Sequence, residues 1–500
     1  MPLLTRFGAL LVAVVLFASL ATTATAQDAR TVVAEASAAM GADKLSSVTF
    51  SGSAAWTFFG QTEHMIGPYP LDPIRRYTRT IDFAERRSLA TGTIWQMAIL
   101  VGGPPRPDPW VRDITAKNTA WEQQLEIWTT PWGFLRGAAA NQATLRSQTI
   151  GGRRFSVVSW QTPQKAPSGL PYTVVGYIDD RKMVERVETW VDHFLLGDLH
   201  VESVYTDYQD FGGLKVPRHV VQKQMGWATF EADITAATPN PANLADLFRR
   251  PPPPPRTGPP PTSEQPRSTR PADKIADGVY RIFGGLGGDH IALAIEMKDH
   301  VVLLEGGSED VDRGVAALAE TRRVIPNKPI RYVAAMHAHF DHAGGLPPFV
   351  AEGITVITHE NNIEFLDRAL NAPRTLLDDA LARKPRKPVF EVVRDRAVLQ
   401  DETRTIEFHY IRGYRHSDST IVAYLPKEKI LFQGDFSLPL GGRGVAPTRP
   451  GQTNEWIFTL VDNFDRLNLW DFTLFVPVHP PEPDAVWTKQ DVLRAVGRAD

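Results

Sequence analysis

The chain has 500 residues, a formal net charge of −3 and no cysteine. The lack of cysteine excludes disulfides, thiolate metal ligands and a cysteine nucleophile, and the lack of a basic excess argues against nucleic acid as a partner. Hydrophobic residues make up 43% and charged residues 22%, an ordinary globular composition at a length that predicts two domains. No nucleic-acid partner is therefore expected; the expected partner is a small-molecule substrate, and the oligomeric state is left open.

Residues 1–26 have the pattern of a signal peptide. Arg6 precedes an apolar run over residues 8–20, which is short for a membrane span, and Ala24 and Ala26 form a small-x-small cleavage site. The pattern predicts a periplasmic or secreted protein with no stable membrane span after cleavage. An uncleaved membrane anchor is the alternative for this segment.

Residues 27–247 are predicted to form a β-rich domain. After a helix over residues 31–40, apolar and polar residues alternate, which is typical of an antiparallel sheet with one solvated face. Strands are predicted at 48–53, 77–83, 154–160, 172–178, 183–190 and 200–208, with hairpin turns at 179–181 and 211–213. In pattern this part resembles the curved-sheet domains of bacterial envelope lipoprotein carriers. A structural platform and a ligand-binding domain are both left open.

Residues 248–272 are predicted to be a linker, because runs of proline favour an extended polyproline conformation. From residue 273 to residue 500 strand and helix patterns alternate, which predicts an α/β domain. Residues 372–400 are charged and show no clear period, so an irregular insertion is expected there.

A cluster of metal-binding side chains follows an apolar strand at residues 330–336. The cluster reads His-x-His-x-Asp-His and comprises His337, His339, Asp341 and His342. Imidazole and carboxylate groups at this density suit zinc or a similar divalent ion. Three further candidates also follow apolar runs, so all are expected to meet in one cleft at the strand ends. These are His416, Asp435 and His479.

The motif and the ordered ligands downstream of it resemble the metallo-β-lactamase superfamily over most of residues 275–485. The resemblance implies a four-layer αβ/βα sandwich that holds two metal ions, most simply Zn²⁺, with Fe or Mn as alternatives. The implied ligands of the first ion are His337, His339 and His416, and those of the second are Asp341, His342 and His479. The resemblance further implies that Asp435 bridges the ions and that Glu305 is a supporting residue rather than a ligand.

The chemistry expected from these ligands is hydrolysis. Paired divalent ions lower the pKa of water, which makes a hydroxide available at neutral pH, and Asp341 is predicted to orient it and accept a proton. The predicted substrate has an ester-like or amide-like bond, as in a lactone, a thioester or a β-lactam. Because it lacks cysteine and carries a bridging carboxylate at Asp435, the chain looks closer to the lactonase and glyoxalase II branches than to a dedicated lactamase. A phosphodiesterase or sulfatase, an iron redox enzyme and a non-enzymatic envelope ligand-binding protein are the alternatives.

Overall fold

The computed structural model describes residues 26–96, 106–115, 119–250, 270–283, 290–307, 311–436, 455–479 and 486–498. The predicted signal peptide lies outside these ranges except for Ala26, which begins the first helix. Residues 251–269 of the predicted linker also lie outside them. None of the described helices has the length and apolar character needed to cross a membrane.

The first part of the chain is built on one antiparallel sheet of eleven strands, ordered β4-β3-β2-β1-β11-β10-β9-β8-β7-β6-β5. The strands are β1 Ser47–Trp56, β2 Asp72–Asp82, β3 Arg87–Gln96, β4 Arg106–Thr115, β5 Thr144–Ile150, β6 Arg153–Lys165, β7 Pro171–Ile178, β8 Val184–His193, β9 Gly197–Phe211, β10 Leu214–Gln224 and β11 Trp227–Pro239. The six predicted strands and both hairpin turns are confirmed, because β7 pairs with β8 and β9 with β10. The strands β3, β4, β5, β10 and β11 were not predicted.

Helices cover one face of this sheet. They are α1 Ala26–Met40, α2 Trp121–Trp128, α3 Pro131–Ala140 and the short α4 Leu244–Leu247. The start of α3 is determined locally, because Pro131 occupies the first turn and the Thr130 hydroxyl accepts a hydrogen bond from the Gly133 amide at 3.1 Å. Trp132 and Phe134 of α3 are fully buried against the sheet. Burial of these large aromatic side chains supplies much of the core.

The second part of the chain contains two mixed sheets. The seven-stranded sheet has the order β12 Asp273–Ala276, β13 Val279–Ile282, β14 Ala292–Glu296, β15 Val301–Leu304, β16 Ile330–Ala334, β17 Thr355–His359 and β18 Phe390–Val393. The five-stranded sheet has the order β19 Arg396–Gln400, β20 Thr405–Tyr410, β21 Ile421–Leu425, β22 Ile430–Gln433 and β23 Leu474–Pro477. The helices are α5 Val311–Val324, α6 Phe340–Ala343, α7 Pro347–Glu352, α8 Ile363–Leu370, α9 Ala380–Arg383, α10 Glu455–Leu467 and α11 Lys489–Ala495.

The two sheets pack face to face and form the predicted sandwich. Val302 and Ile357 of one sheet share a core with Phe408 and Phe432 of the other, and all four side chains are fully buried. Helices α5, α7 and α8 cover the outer face of the first sheet, and α10 and α11 cover the second. The strands are apolar on both faces because each sheet is covered on both sides. The expected α/β class is confirmed.

The expectation of an irregular insertion at residues 372–400 is wrong in part. This segment contains α9 and contributes an edge strand to each sheet, β18 and β19. Strand β18 pairs in parallel with β17, and β19 pairs with β20. The two strands are only four and five residues long, and tertiary pairing rather than a local pattern defines them.

The two parts of the chain are joined by a polar junction between the β8–β9 turn and residues 373–379. The Asp198 carboxylate accepts hydrogen bonds from the amides of Thr375 and Leu376, both at 2.9 Å. The Arg374 guanidinium donates to the carbonyls of Phe194 and Leu195. These contacts hold the β8–β9 turn against the second part.

His193 at this junction is expected to make stability depend on pH. Its Nδ1 accepts hydrogen bonds from the Leu195 and Leu196 amides at 3.2 and 3.1 Å. Burial, with Arg374 nearby, lowers the pKa of His193 to about 3. The unfolded state takes up a proton below pH 6.5 and the folded state does not, so His193 makes the free energy of unfolding fall by about 1.4 kcal/mol per pH unit from 6.5 towards 3.

Urea unfolding at pH 7 and pH 5 tests this expectation. The His193→Asn variant keeps a side-chain acceptor but does not titrate. Between pH 7 and pH 5 its free energy of unfolding should therefore fall by roughly 2 kcal/mol less than that of the wild type. Equal losses in the two proteins contradict the assignment of a neutral His193.

Candidate metal centre

The candidate ligands lie where strands end. The histidine motif follows β16, His416 follows β20, Asp435 follows β22 and His479 follows β23. Strands β22 and β23 run parallel, so Asp435 and His479 leave the sheet at the same edge. The motif loop can turn sharply because Gly345 packs on the β15–α5 connection, where an added Cβ would lie 2.4 Å from the Gly306 carbonyl oxygen. Side chains distant in sequence therefore converge at one edge.

The structure brings all seven predicted side chains together in two groups of four. Within each group the potential ligand atoms lie within 4.8 Å of one another. The first group is His337, His339, His416 and Asp435; the second is Asp341, His342, Asp435 and His479. Asp435 belongs to both groups, as the predicted bridging residue would.

Asp435 presents one carboxylate oxygen to each group. Its Oδ2 lies 2.8 Å from Nε2 of His416 and 3.7 Å from Nε2 of His337. Its Oδ1 lies 2.9 Å from Nε2 of His342 and 3.3 Å from Nε2 of His479. Asp341 is the remaining member of the second group, and its Oδ2 lies 3.4 Å from Nε2 of His479. This arrangement suits a carboxylate shared between two cations.

The protonation state of the first group fits metal binding. Burial lowers the pKa of His339 to about 3 and holds the pKa of His337 well below its usual range, so both imidazoles are neutral at pH 7. Both ring nitrogens of His337 and the Nδ1 atoms of His339 and His416 are buried and have no hydrogen-bond partner among the described residues. Buried polar atoms are normally satisfied, and neutral imidazoles with free lone pairs are metal ligands.

The second group has the electrostatics of a cation site. Burial opposes a charge on His342, but Asp435, Glu305 and Asp341 outweigh it and raise the pKa of His342 well above its usual range. Burial would also raise the pKa of Asp435, yet His342 and His479 hold it well below its usual range. Three carboxylates around one imidazole thus favour positive charge at this point. The residues present fit a pair of divalent ions.

Glu305 supports His342 from behind, as the family resemblance implied. Its Oε1 lies 3.2 Å from Nδ1 of His342 and accepts a hydrogen bond from the Met336 amide at 3.1 Å. Glu305 is fully buried and has a positive φ of 67°, a backbone conformation that residues other than glycine rarely adopt. A carboxylate behind a histidine ligand directs the other ring nitrogen towards the metal.

Residues of the first part of the chain also contact the candidate ligands, which the sequence did not reveal. The loop between β1 and β2, residues 57–71, lies against the motif. The Gln61 amide donates to Oδ1 of Asp341 at 2.6 Å, and the Thr62 carbonyl lies 3.0 Å from Nε2 of His339. Thr62 therefore accepts the Nε2 proton of His339, which leaves Nδ1 of this imidazole as the lone-pair donor.

The loop is fitted closely to the motif. Gly60 has a φ of 90° and packs on Phe340, where an added Cβ would lie 2.0 Å from the ring. The Gly60 carbonyl accepts the Phe340 amide at 3.2 Å, and at the loop's outer end His64 lies 2.9 Å from Asp418. No local pattern in residues 57–71 indicates these roles.

Replacing Gln61 with alanine is expected to weaken metal binding by about tenfold, because Asp341 loses the donor that orients its carboxylate. Competition with a chromogenic chelator measures the affinity. The control is Gln209→Ala, since Gln209 is an exposed residue of β9 whose side chain accepts a hydrogen bond from Arg218. Equal affinities in the two variants contradict an orienting role for Gln61.

Other residues near the ligands have structural contacts. Tyr414 stacks on Phe436 and donates to the Asp435 carbonyl at 3.0 Å. Ser417 and Ser419 share a hydrogen bond of 2.9 Å beneath the His416 loop. His290, which the sequence did not single out, is buried with its ring centroid 5.3 Å from that of His479. The sequence feature that could have indicated His290 is its position just before a strand.

Comparisons with known proteins agree with this geometry. A family model described as the metallo-beta-lactamase superfamily matches residues 285–461. The search of curated proteins gives no match.

Several solved structures are similar. A DIM-1 metallo-beta-lactamase exposed to ceftazidime is 16% identical, with 45% of this chain and 94% of that chain covered and a TM-score of 0.32. A metallo-beta-lactamase from Pontibacter korlensis is 18% identical, with 45% and 97% covered and a TM-score of 0.32. Rubredoxin oxygen:oxidoreductase from Desulfovibrio gigas is 17% identical, with 45% and 60% covered and a TM-score of 0.34.

The matched segment contains the whole histidine motif together with His416 and Asp435. Residues 285–461 therefore match the metallo-beta-lactamase superfamily, whose members bind metal ions and are generally hydrolases, with some oxidoreductases among them.

Proposed function

We propose that the protein is a hydrolase with two zinc ions that cleaves an ester-like or amide-like bond in a small molecule, such as a lactone, a thioester or a β-lactam. The observation that carries the proposal is the placement of Asp435, with one carboxylate oxygen facing each ligand group. Two adjacent cation sites that share a carboxylate suit hydrolysis, in which attack and departure of the leaving group are both stabilised.

Bound divalent ions would supply a lowered pKa for water and polarisation of the substrate carbonyl. Asp341 would hold the attacking water through Oδ2 and take up its proton, while Oδ1 stays engaged with Gln61. Asp341 would then return the proton to the leaving oxygen, sulfur or nitrogen. Acid–base catalysis of this kind contributes about 10²–10⁴-fold to a rate.

Two hydrogen-bond partners would keep the ligands in the correct tautomer. The Thr62 carbonyl holds the proton of His339 on Nε2. Glu305 favours the proton of His342 on Nδ1. Each contact leaves the opposite ring nitrogen available to a cation, and such contacts set both affinity and geometry.

Metal quantification of the purified protein, coupled to a substrate panel, tests the proposal. We expect about two zinc ions per chain and turnover of at least one chromogenic ester, thioester, lactone or β-lactam. Turnover confined to phosphodiesters or aryl sulfates identifies the alternative hydrolase, and iron with oxygen consumption identifies a redox enzyme. A tightly bound apolar ligand with no turnover of any substrate contradicts enzymatic function.

We further propose that the protein is exported to the periplasm or beyond the cell. The proposal rests on residues 1–26, with a basic start, a short apolar run and a small-x-small site. Mass spectrometry of protein from a periplasmic extract should give Gln27 as the first residue. Recovery of the protein in the cytosol with Met1 or Pro2 first contradicts it.

A further inference from the structure

The first part of the chain encloses a cavity of about 410 Å³ between its curved sheet and the helices α2 and α3. The volume lies within the range of small-molecule sites. Its wall contains many aromatic side chains, including Phe50, Trp56, Tyr77, Trp110, Trp132 and Phe230. A wall of this kind favours an apolar ligand.

The cavity lies beside the metal centre. Gln61 and Phe340 both line it, together with His193 and Phe194 of the junction. Gln61 donates a hydrogen bond to Asp341, and Phe340 lies in the motif between His339 and Asp341. One end of the cavity is therefore formed by side chains that contact or adjoin the candidate ligands.

The cavity extends away from the metal centre along β1. Trp56, at the end of β1 nearest the β1–β2 loop, and Phe50, six residues earlier on the same strand, both line it. At about 3.3 Å per residue this separation is roughly 20 Å. A methylene group is close in size to a water molecule, which occupies about 30 Å³, so the cavity has room for one chain of roughly a dozen methylenes.

Several polar groups in the wall already have hydrogen-bond partners. The Arg79 guanidinium donates to Glu126 at 2.6 Å and to the Tyr77 hydroxyl at 2.8 Å, and Arg112 donates to Glu126 at 3.2 Å. The Tyr205 hydroxyl donates to the Thr129 carbonyl. Because these groups already have partners, an apolar ligand leaves none of them unsatisfied.

We propose that this cavity binds the acyl chain of the substrate, a long-chain acyl ester, thioester or lactone whose carbonyl lies at the metal centre. The inference rests on the proposed hydrolase function and specifies its substrate class. Water forms a new bond to the acyl carbon, the bond from that carbon to the alcohol oxygen or thiol sulfur breaks, and the leaving group takes up the proton from Asp341. The products of an ester or thioester are a fatty acid, which is retained along the cavity, and an alcohol or thiol; a lactone gives a single hydroxy acid.

The first test is a comparison of para-nitrophenyl acetate with para-nitrophenyl dodecanoate on the full-length, zinc-loaded protein. Each buried methylene contributes about 0.8 kcal/mol, so kcat/KM should be at least 100-fold higher for dodecanoate. Dodecyl acetate is the control, because its long chain belongs to the alcohol and its acyl group is short. A preference that follows the alcohol chain instead of the acyl chain overturns the proposal.

Variants of the wall locate the preference in the cavity. Ala232 of β11 is buried and lines the cavity, and Ala232→Phe should lower the ratio of kcat/KM for dodecanoate to that for acetate by at least tenfold. The Val220→Trp substitution on β10 is a second, independent obstruction, since Val220 pairs with Ala232 and also lines the cavity. The matched control is Val221→Trp, because Val221 lies on the opposite face of the same strand.

Binding of 11-(dansylamino)undecanoic acid separates this inference from the proposed function. The wild type and the Asp341→Ala variant should both bind the probe, and Ala232→Phe should bind it at least tenfold more weakly. Turnover of acetate and dodecanoate at equal rates, with no probe binding, overturns the acyl-chain inference and leaves the hydrolase proposal standing. Probe binding without turnover of any ester, thioester, lactone or β-lactam overturns the assignment of the chain as a substrate group and the hydrolase proposal with it.

Discussion

Replacing Asp341 with alanine is expected to lower turnover by about 10³-fold, because one side chain is both a member of the second ligand group and the proposed proton acceptor. The fold should survive, since Asp341 is on a four-residue helix at the cleft and its removal opens no apolar cavity. The first ligand group does not include Asp341, so bound metal should fall from two ions towards one.

Steady-state kinetics on the best substrate of the panel, with metal quantification of the same preparation, measures this expectation. The control is Asp471→Ala, since the Asp471 side chain is 75% exposed and forms a surface ion pair with Lys429. Turnover of the Asp341→Ala variant within tenfold of the control contradicts the proposed role.

Replacing Arg374 with alanine is expected to destabilise the protein by about 3–5 kcal/mol, because it leaves a buried carboxylate without its counter-charge. The Arg374 and Asp379 side chains are only 5% and 4% exposed. The variant also removes the donors that Arg374 supplies to the Phe194 and Leu195 carbonyls. Loss of the Arg374 side chain should therefore destabilise the junction between the two parts as well as the second part itself.

Urea unfolding of the variant measures the loss. The matched control is Arg383→Ala, whose guanidinium pairs with Asp378 while both side chains are more than half exposed, at 63% and 58%. Exposed pairs contribute about 0–1 kcal/mol. Combining Arg374→Met with Asp379→Asn removes both charges and should recover part of the stability; a loss no larger than that of Arg383→Ala contradicts a buried ion pair.

Much of the second part of the chain could be predicted because its signals are local. The run at residues 330–336 followed by His337, His339, Asp341 and His342 needs only a strand and a turn to place four ligands together. Helix α5 and strands β20 to β23 follow from apolar runs and periodicity within short windows. Strands β18 and β19 were missed because their definition depends on partners elsewhere in the sheets.

The first part of the chain was harder to predict for the same reason. The rich aromatic content of residues 121–140 does not by itself indicate that α2 and α3 pack on a sheet. Strands β10 and β11 carry partly exposed residues on both faces, so their polar and apolar positions alternate weakly. The turns near 179–181 and 211–213 were predictable because turn residues carry their own conformational preference.

The sequence by itself determined the chemistry of the site, because imidazole and carboxylate ligands at short spacing are encoded within a few residues and the strands that precede them are strongly apolar. Only the tertiary structure decided which other residues serve that site. Gln61 and Thr62 contact ligands 280 and 277 residues away, and the cavity beside them is lined by strands far apart in sequence, from β1 and β2 to β10 and β11. Such contacts depend on how whole layers pack, and no local pattern of side chains specifies them.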